Sequence, residues 1–367
     1  KAQTVNLNGR TSLDIVMQED TEVLQEIVIT GFGLSQKKET LTGAISSVSS
    51  KEIEKSLAAT TSGAIVGKIA GINARQADGR PGNGFNIQIR NMGTPLYVID
   101  GVQKDEGQFN NIDFNDIESI SILKDASASI YGVRAANGVV VVTTKKGRLN
   151  QKNTITINAN YGWQNLTAFA KPADASTYIR NYIQSETIQG VPNQNRKYTM
   201  EDLQKWTQGT EKGYRPFDWY DYIWNTAPQT YLGVNASGGS DKINYYLAIG
   251  NLTQDAMIVN YGGFNRTNIQ LNVDAKINDK LKIGGSVNGR IEKRKNPGVP
   301  GADDYWAPIF ATYRNLPMAR PYANDNPKYP ALTSSDPSTN FAMLNYDLSG
   351  TYQSVWRVGQ FNFNAEY

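Results

Sequence analysis

Residues 95–147 read P-L-Y-V-I-D-G-V-Q-K-D-E-G-Q-F-N-N-I-D-F-N-D-I-E-S-I-S-I-L-K-D-A-S-A-S-I-Y-G-V-R-A-A-N-G-V-V-V-V-T-T-K-K-G. Leu96 to Ile99 is a short apolar run closed by the turn dipeptide Asp100-Gly101. Ile117, Ile120 and Ile122 open a second strand. Lys124 to Ile130 is rich in Ala and Ser and is closed by Gly132, which predicts a short helix. Val139 to Thr144 is wholly β-branched, the composition of a strand buried on both faces. The stretch therefore predicts a strand–strand–helix–strand unit, a small α/β module with no catalytic signature of its own.

Three phrases inside it carry more. Y-V-I-D-G-V (Tyr97 to Val102), I-L-K-D-A-S-A-S-I-Y-G (Ile122 to Gly132) and R-A-A-N-G-V-V-V-V-T-T-K-K-G (Arg134 to Gly147) occur in this order. The stretch resembles the plug domain of TonB-dependent outer-membrane transporters, and more narrowly the SusC/RagA family of nutrient importers in Bacteroidetes. The resemblance implies mainly structural roles for Tyr97, Asp100, Gly101, Lys124, Asp125, Tyr131, Gly132, Arg134, Asn137 and Gly138.

Composition sets limits. The 367 residues suffice for two or three domains. A net charge of +3 with scattered Lys and Arg gives no basic face for nucleic acid. There is no Cys and no His, which removes Cys/His zinc sites, a disulfide framework and a Ser–His–Asp triad. No run approaches 18 apolar residues, so no transmembrane helix is expected, although alternating barrel strands would leave no such run.

Around the plug-like stretch, the chain divides into four expected segments. Residues 1–22 read either as the tail of a preceding small β-domain or as a disordered leader. Residues 23–34 contain L-Q-E-I-V-I-T-G-F-G, similar to the family's TonB-box-like exit segment. Its Glu26, Ile27, Val28, Ile29 and Thr30 would add as a strand to the sheet edge of TonB, through main-chain hydrogen bonds. The other reading makes Ile27 to Thr30 the first plug strand. Residues 35–148 form the expected plug, with helices over Ser50 to Leu57 (capped by Ser49 or Ser50) and Ser62 to Lys68. The Gly-rich stretch Asp78 to Gly84 lacks a following Lys-Ser/Thr helix, which rejects a P-loop. In the family an R-G follows the next strand; here Arg90 is followed by Asn91-Met92.

Residues 149–367 change period. Ile155, Ile157, Ala159, Tyr161 and Trp163 alternate with Thr, Asn and Gly. The same two-residue period runs through Ile243 to Ile249, Ile269 to Ile277 and Leu281 to Ile291, and two further strands are expected at Tyr231 to Ala236 and Tyr352 to Tyr367. Tight turns at Gly238 to Asp241 and Asn278 to Lys280 alternate with long connections over roughly 165–229, 251–263 and 293–351. Short turns on one side and long loops on the other suit a transmembrane barrel. The fold class is thus an α+β plug domain followed by antiparallel transmembrane β-barrel strands. Six strands cannot close around such a plug, since large transporter barrels have about 22, so the chain is expected to be an N-terminal piece of a longer protein.

No carboxylate pair lies in a predicted cleft, and no enzyme, cofactor or metal is expected. Aromatic residues crowd the first long loop. Trp219, Tyr220 and Trp224 there, with Tyr305 and Trp306 in the third, are candidate sugar-stacking residues. The competing reading makes these rings an interface girdle or the packed core of a folded loop. Thr199 to Asp202 resembles a capping box and predicts a helix inside the loop. The resemblance implies import of an oligosaccharide or peptide across the outer membrane of a Gram-negative bacterium by a multi-pass protein seated in lipid. TonB and a SusD-like surface lipoprotein would be its partners. A siderophore or vitamin receptor, or a non-transporting surface glycan-binding protein, are the alternatives.

Overall fold

The computed structural model describes residues 27–31, 34–37, 45–298, 305–331 and 346–367. Residues 1–22 and Glu26 lie outside them.

The first strand, β1 (Ile27–Gly31), pairs antiparallel with β2 (Leu34–Lys37) in a two-stranded sheet of its own. A five-stranded sheet follows, in the order β3-β8-β9-β6-β7. Its strands are β3 (Ile45–Ser49), β6 (Leu96–Ile99), β7 (Val102–Lys104), β8 (Ile117–Leu123) and β9 (Val139–Thr144). β9 runs parallel to β6 and antiparallel to β8. Its β-branched residues split by parity. Val140 and Val142 enter one cluster with Tyr97, Phe109, Ile120 and Ile122, while Val139 and Val141 enter another with Val98, Leu123 and Ala135. A strand with a core on both faces needs no polar side chain there, which is why its first four residues are all valine.

The helices are shorter than expected. α1 (Ser50–Ile53) is capped by Ser49 in a capping box with Glu52, and α2 (Thr61–Ile65) is capped by Thr60. β4 (Ile72–Gln76) and β5 (Phe85–Ile89) form a separate hairpin. After β5, Arg90 and Asn91 both take left-handed backbone angles and turn the chain where the family has R-G. α3 (Glu106–Asn110) follows β7. The Ala/Ser-rich segment forms a 3-10 helix over Asp125–Tyr131, not an α-helix, and ends at Gly132 with φ +73°. Gly138 (φ +88°) is required for packing as well. A Cβ there would lie 2.7 Å from the Ile89 side chain and 3.0 Å from the Leu123 carbonyl.

Six long antiparallel strands then form one meander, β10 (Thr154–Gln164), β11 (Ala227–Gly239), β12 (Ile243–Asp255), β13 (Gly263–Lys276), β14 (Lys282–Pro297) and β15 (Thr351–Glu366). They run from 11 to 16 residues. Their registers contain no bulge, so one parity of each strand faces the plug throughout. The other parity is apolar and bare. Ile155, Ile157, Leu232, Ile249, Phe361 and Phe363 are all exposed. An apolar face turned away from the core is the pattern of strands that meet lipid. Tyr161 and Trp163 pack edge to face on it, 4.8 Å apart, at the end of β10 that leads into the first long loop, where an aromatic girdle belongs.

The connections correct one expectation. Residues 240–242 and 277–281 are short turns and 165–226 and 298–350 are long, but β12 and β13 are joined by the short segment 256–262. The middle connection closes sooner because β12 and β13 stay paired as far as Asp255 and Gly263.

Candidate functional site

The plug meets the wall through polar groups. The segment between α3 and β8 presents Asn111, Asp113 and Asp116 to the sheet. Asp113 braces itself by accepting bonds from the Asn115 amide and side chain, both at 3.0 Å. Its other oxygen accepts the Tyr231 hydroxyl of β11 at 2.7 Å. The Tyr246 hydroxyl of β12 donates to Asp116 at 2.8 Å. On β13, Asn268 donates to the Asn111 carbonyl at 2.8 Å, and Arg266 to its side chain at 3.2 Å. Each donor lies on the plug-facing parity of its strand, and all are buried. Burial without a partner would cost each group about 1–3 kcal/mol, so pairing fixes where the plug sits.

Charge is concentrated at one point. Arg266, only 2% exposed, also donates to Asn268 at 2.9 Å. It stands directly across from Glu292 on β14, which pairs with Arg290 at 2.5 Å. Burial, reinforced by the Asp113 charge, raises the Asp116 carboxyl to about 8. The folded-state value thus lies above the ordinary one. The stabilisation that goes with protonated Asp116 is complete below about pH 4 and is lost as pH rises toward 8, with a slope of up to about 1.4 kcal/mol per pH unit. Asp116→Asn is expected to flatten this dependence in thermal unfolding of the purified full-length receptor between pH 5 and 8. Equal slopes for variant and parent would show that Asp116 ionises normally.

The plug-motif residues hold the plug together and place its last strand. Asp100 (φ +48°) and Gly101 (φ +83°) make the tight turn between β6 and β7. The Asp100 carboxylate accepts the Thr144 amide at 2.9 Å and its hydroxyl at 2.7 Å, although burial still raises its pKa. The Thr144 hydroxyl in turn accepts Asn272 of β13 at 3.1 Å, so this motif is tied to the wall through one intermediary. Lys124, 8% exposed, donates to the Ala70 carbonyl at 2.6 Å and to Ser46 at 2.9 Å. Tyr97 stacks on Phe109, and Tyr131 packs beside Leu123 and Ala135. Arg134 reaches Gln103, and Asn137 reaches the Thr94 carbonyl. Asp125 opens the 3-10 turn.

The long connections fold into a cap. α4 (Ala175–Ile188), α5 (Met200–Gln208), α6 (Trp219–Ile223) and α7 (Trp306–Arg314) belong to it. Thr199 and Asp202 form the expected capping box on α5. The candidate stacking residues separate here. Trp219 and Trp224 are buried, their indole N–H groups donating to the Leu316 carbonyl and the Thr312 hydroxyl, both at 3.1 Å. Tyr305 is buried with them. These three rings form the cap's core and have no face left for a ligand. Tyr220 is half-buried beside a cleft of about 260 Å³, with Lys171 5.4 Å over its ring. Trp306 is 38% exposed and stacks on Phe310. The carboxylates Asp218 and Asp221 are bridged by Lys171.

Sequence reasoning passed over Asp113, Asp116, Tyr231, Tyr246, Arg266 and Asn272. A signal was present in the polar parity of Thr267 to Lys276, where Asn268, Gln270, Asn272 and Asp274 alternate with apolar residues. On a sheet that turns its apolar parity outward, this row faces the plug.

A plug domain hydrogen-bonded to the polar face of membrane-type strands defines a TonB-dependent receptor. A profile of the TonB-dependent receptor plug domain matches residues 37–139. The TonB-dependent receptor SusC of Bacteroides thetaiotaomicron is 30% identical over 340 residues, covering 89% of this chain and 31% of that protein. A TonB-dependent receptor of Formosa agariphila is 33% identical over 296 residues, covering 77% and 28%. A solved structure of the RagAB peptide importer in its open-open state superposes with a TM-score of 0.64 at 27% identity, covering 76% of this chain and 33% of that one. The chain belongs to the SusC/RagA family of TonB-dependent receptors. It spans about a third of the length of these relatives, which by name are receptors and importers, not enzymes.

Proposed function

We propose that this chain serves TonB-dependent import of a nutrient across the outer membrane, with an oligosaccharide as cargo and a SusD-like lipoprotein as an external lid. The observation that carries the reading is the two-sided wall. Its apolar parity suits lipid, while its polar parity binds a separately folded plug by hydrogen bonds that water can replace. In this reading residues 35–148 are the plug, 149–367 supply the first strands and cap, and 23–34 are the exit segment. Glu26 to Thr30 pair with TonB. Of the candidate stacking residues, Tyr220 and Trp306 keep surface to meet a sugar. A peptide cargo is the second reading, favoured by the likeness to the RagAB peptide importer.

The test is purification of the full-length receptor from outer membranes in mild detergent, with mass spectrometry of every chain that accompanies it. A lipoprotein in equal amount is expected, and the pair is then screened against neutral oligosaccharides and against peptides. A barrel recovered alone in several detergents would overturn the lidded importer in favour of a siderophore-type receptor.

A further inference from the structure

The loop over residues 77–84, between β4 and β5, touches two bodies at once. It is braced internally, with Asp78 accepting bonds from the Arg80 amide at 3.0 Å and the Asn83 side chain at 2.8 Å. Toward the wall, the Gly82 amide donates to Gln254 of β12 at 2.7 Å, and Arg294 of β14 donates to the Gly82 carbonyl at 3.4 Å. Phe264 of β13 lies flat beneath Gly82, where a Cβ would meet the ring at 2.5 Å. Toward the cap, the Arg80 guanidinium sits 5.4 Å over the ring of Tyr305. Gly79 approaches the same ring so closely that a Cβ would lie 2.9 Å from its hydroxyl. Tyr305 immediately precedes α7 and is 2% exposed. It packs edge to face on Tyr261, in the connection between β12 and β13, at 5.3 Å.

Tyr305 is therefore buried between the cap and the plug tip. We propose that the 77–84 loop and Tyr305 form a latch by which the plug tip holds α7 of the external cap in place. The coupling is reciprocal. Withdrawing the loop removes the floor of Tyr305 and frees α7, and a ligand that lifts α7 releases the plug tip. Its use in transport rests on the importer reading, whereas the coupling itself does not.

The test uses the full-length receptor in intact cells held de-energised by a protonophore, so that no pulling occurs. Ala311 of α7 is fully buried in the cap, and these 367 residues contain no cysteine. The rate at which a membrane-impermeant maleimide labels the Ala311→Cys receptor reports opening of the cap. The receptor without that substitution supplies the background. Arg80→Ala is expected to raise the rate roughly tenfold, as loss of a desolvated cation–π contact implies. Gly79→Ala keeps the charge and displaces Tyr305 sterically, and it is expected to act in the same direction. Labelling at the parental rate in either variant would overturn the latch. Failure here would leave import itself untouched, since import is tested by removal of the exit segment.

Discussion

Deletion of residues 24–31 from the full-length receptor is expected to abolish energy-dependent uptake while surface binding of the cargo stays at the parental level. The position of β1 is the reason. Among the described residues it is paired with β2 alone, through Ile27↔Lys37, Val28↔Gln36 and Ile29↔Ser35, with an irregularity before Gly31↔Leu34. It is no part of the five-stranded plug sheet. A two-stranded hairpin is marginal in water, so β1 can exchange β2 for another sheet edge at small cost. Affinity in strand addition comes from the main chain. Proline scanning sharpens the test, because proline removes an amide donor. Neighbouring amides point to opposite edges of a strand, so of Ile27→Pro and Val28→Pro at least one removes a donor toward an added strand. That variant is expected to lose uptake, whereas Val28→Thr, which keeps the amide and the β-branch, retains it. Full uptake by the deletion would sink both the transport reading and the placement of this segment.

Arg266→Met is expected to loosen the docked plug. The substitution keeps much of the side-chain volume and removes the charge beside Asp113 and opposite Glu292. Breaking a buried charge pair on one side costs about 3–5 kcal/mol. The Tyr231 hydroxyl still serves Asp113 and the Arg290 guanidinium still serves Glu292, so the lower end of that range applies. Hydrogen exchange in the purified receptor should show protection of segment 109–116 falling by roughly a hundredfold. The β9 amides, held inside the plug's own sheet, should not change. Unaltered protection at 109–116 would mean that Arg266 is dispensable for docking. Equal loss at β9 would mean that the substitution unfolds the plug instead of releasing it.

Sequence pattern reached β6, β8 and β9 of the plug sheet, though not β3 or β7, and the number of long strands after it, because those features rest on local chemistry. The valine run of β9, the Asp100-Gly101 turn and the alternation in β10, β12 and β13 each leave a mark within a few residues. Strand ends were harder. β14 continues through Lys293, Arg294 and Lys295, where hydropathy offers no sign of a strand; backbone pairing with β15 carries it on. The helix α4 was missed. It buries Ala175, Ile179 and Ile183, a stripe too thin to stand out, and its start is marked by the single Asp174 cap. The cap aromatics show a further limit. Composition identified the cluster, but whether Trp219 or Tyr220 keeps a free face depends on contacts with residues about a hundred positions away, such as Leu316. Asp113 and Asp116 were invisible for the same reason, because their partners lie on strands whose polar parity gains meaning only once the apolar parity is known to face lipid.

The plug-to-wall contacts described above are mostly single neutral or singly charged hydrogen bonds between Tyr, Asn or Gln side chains and the plug. A typical bond of this kind contributes about 0.5–1.5 kcal/mol net, because a water molecule can take the place of either partner. An apolar seam of similar extent would surrender its burial energy all at once. Here separation can advance one bond at a time, each exchange within a few times thermal energy, provided the lumen floods as the gap opens. The load needed to dislodge the plug is then governed less by contact area than by how many bonds are strained together. An applied pull that peels from one edge, as a tug on an N-terminal strand does, strains few at once.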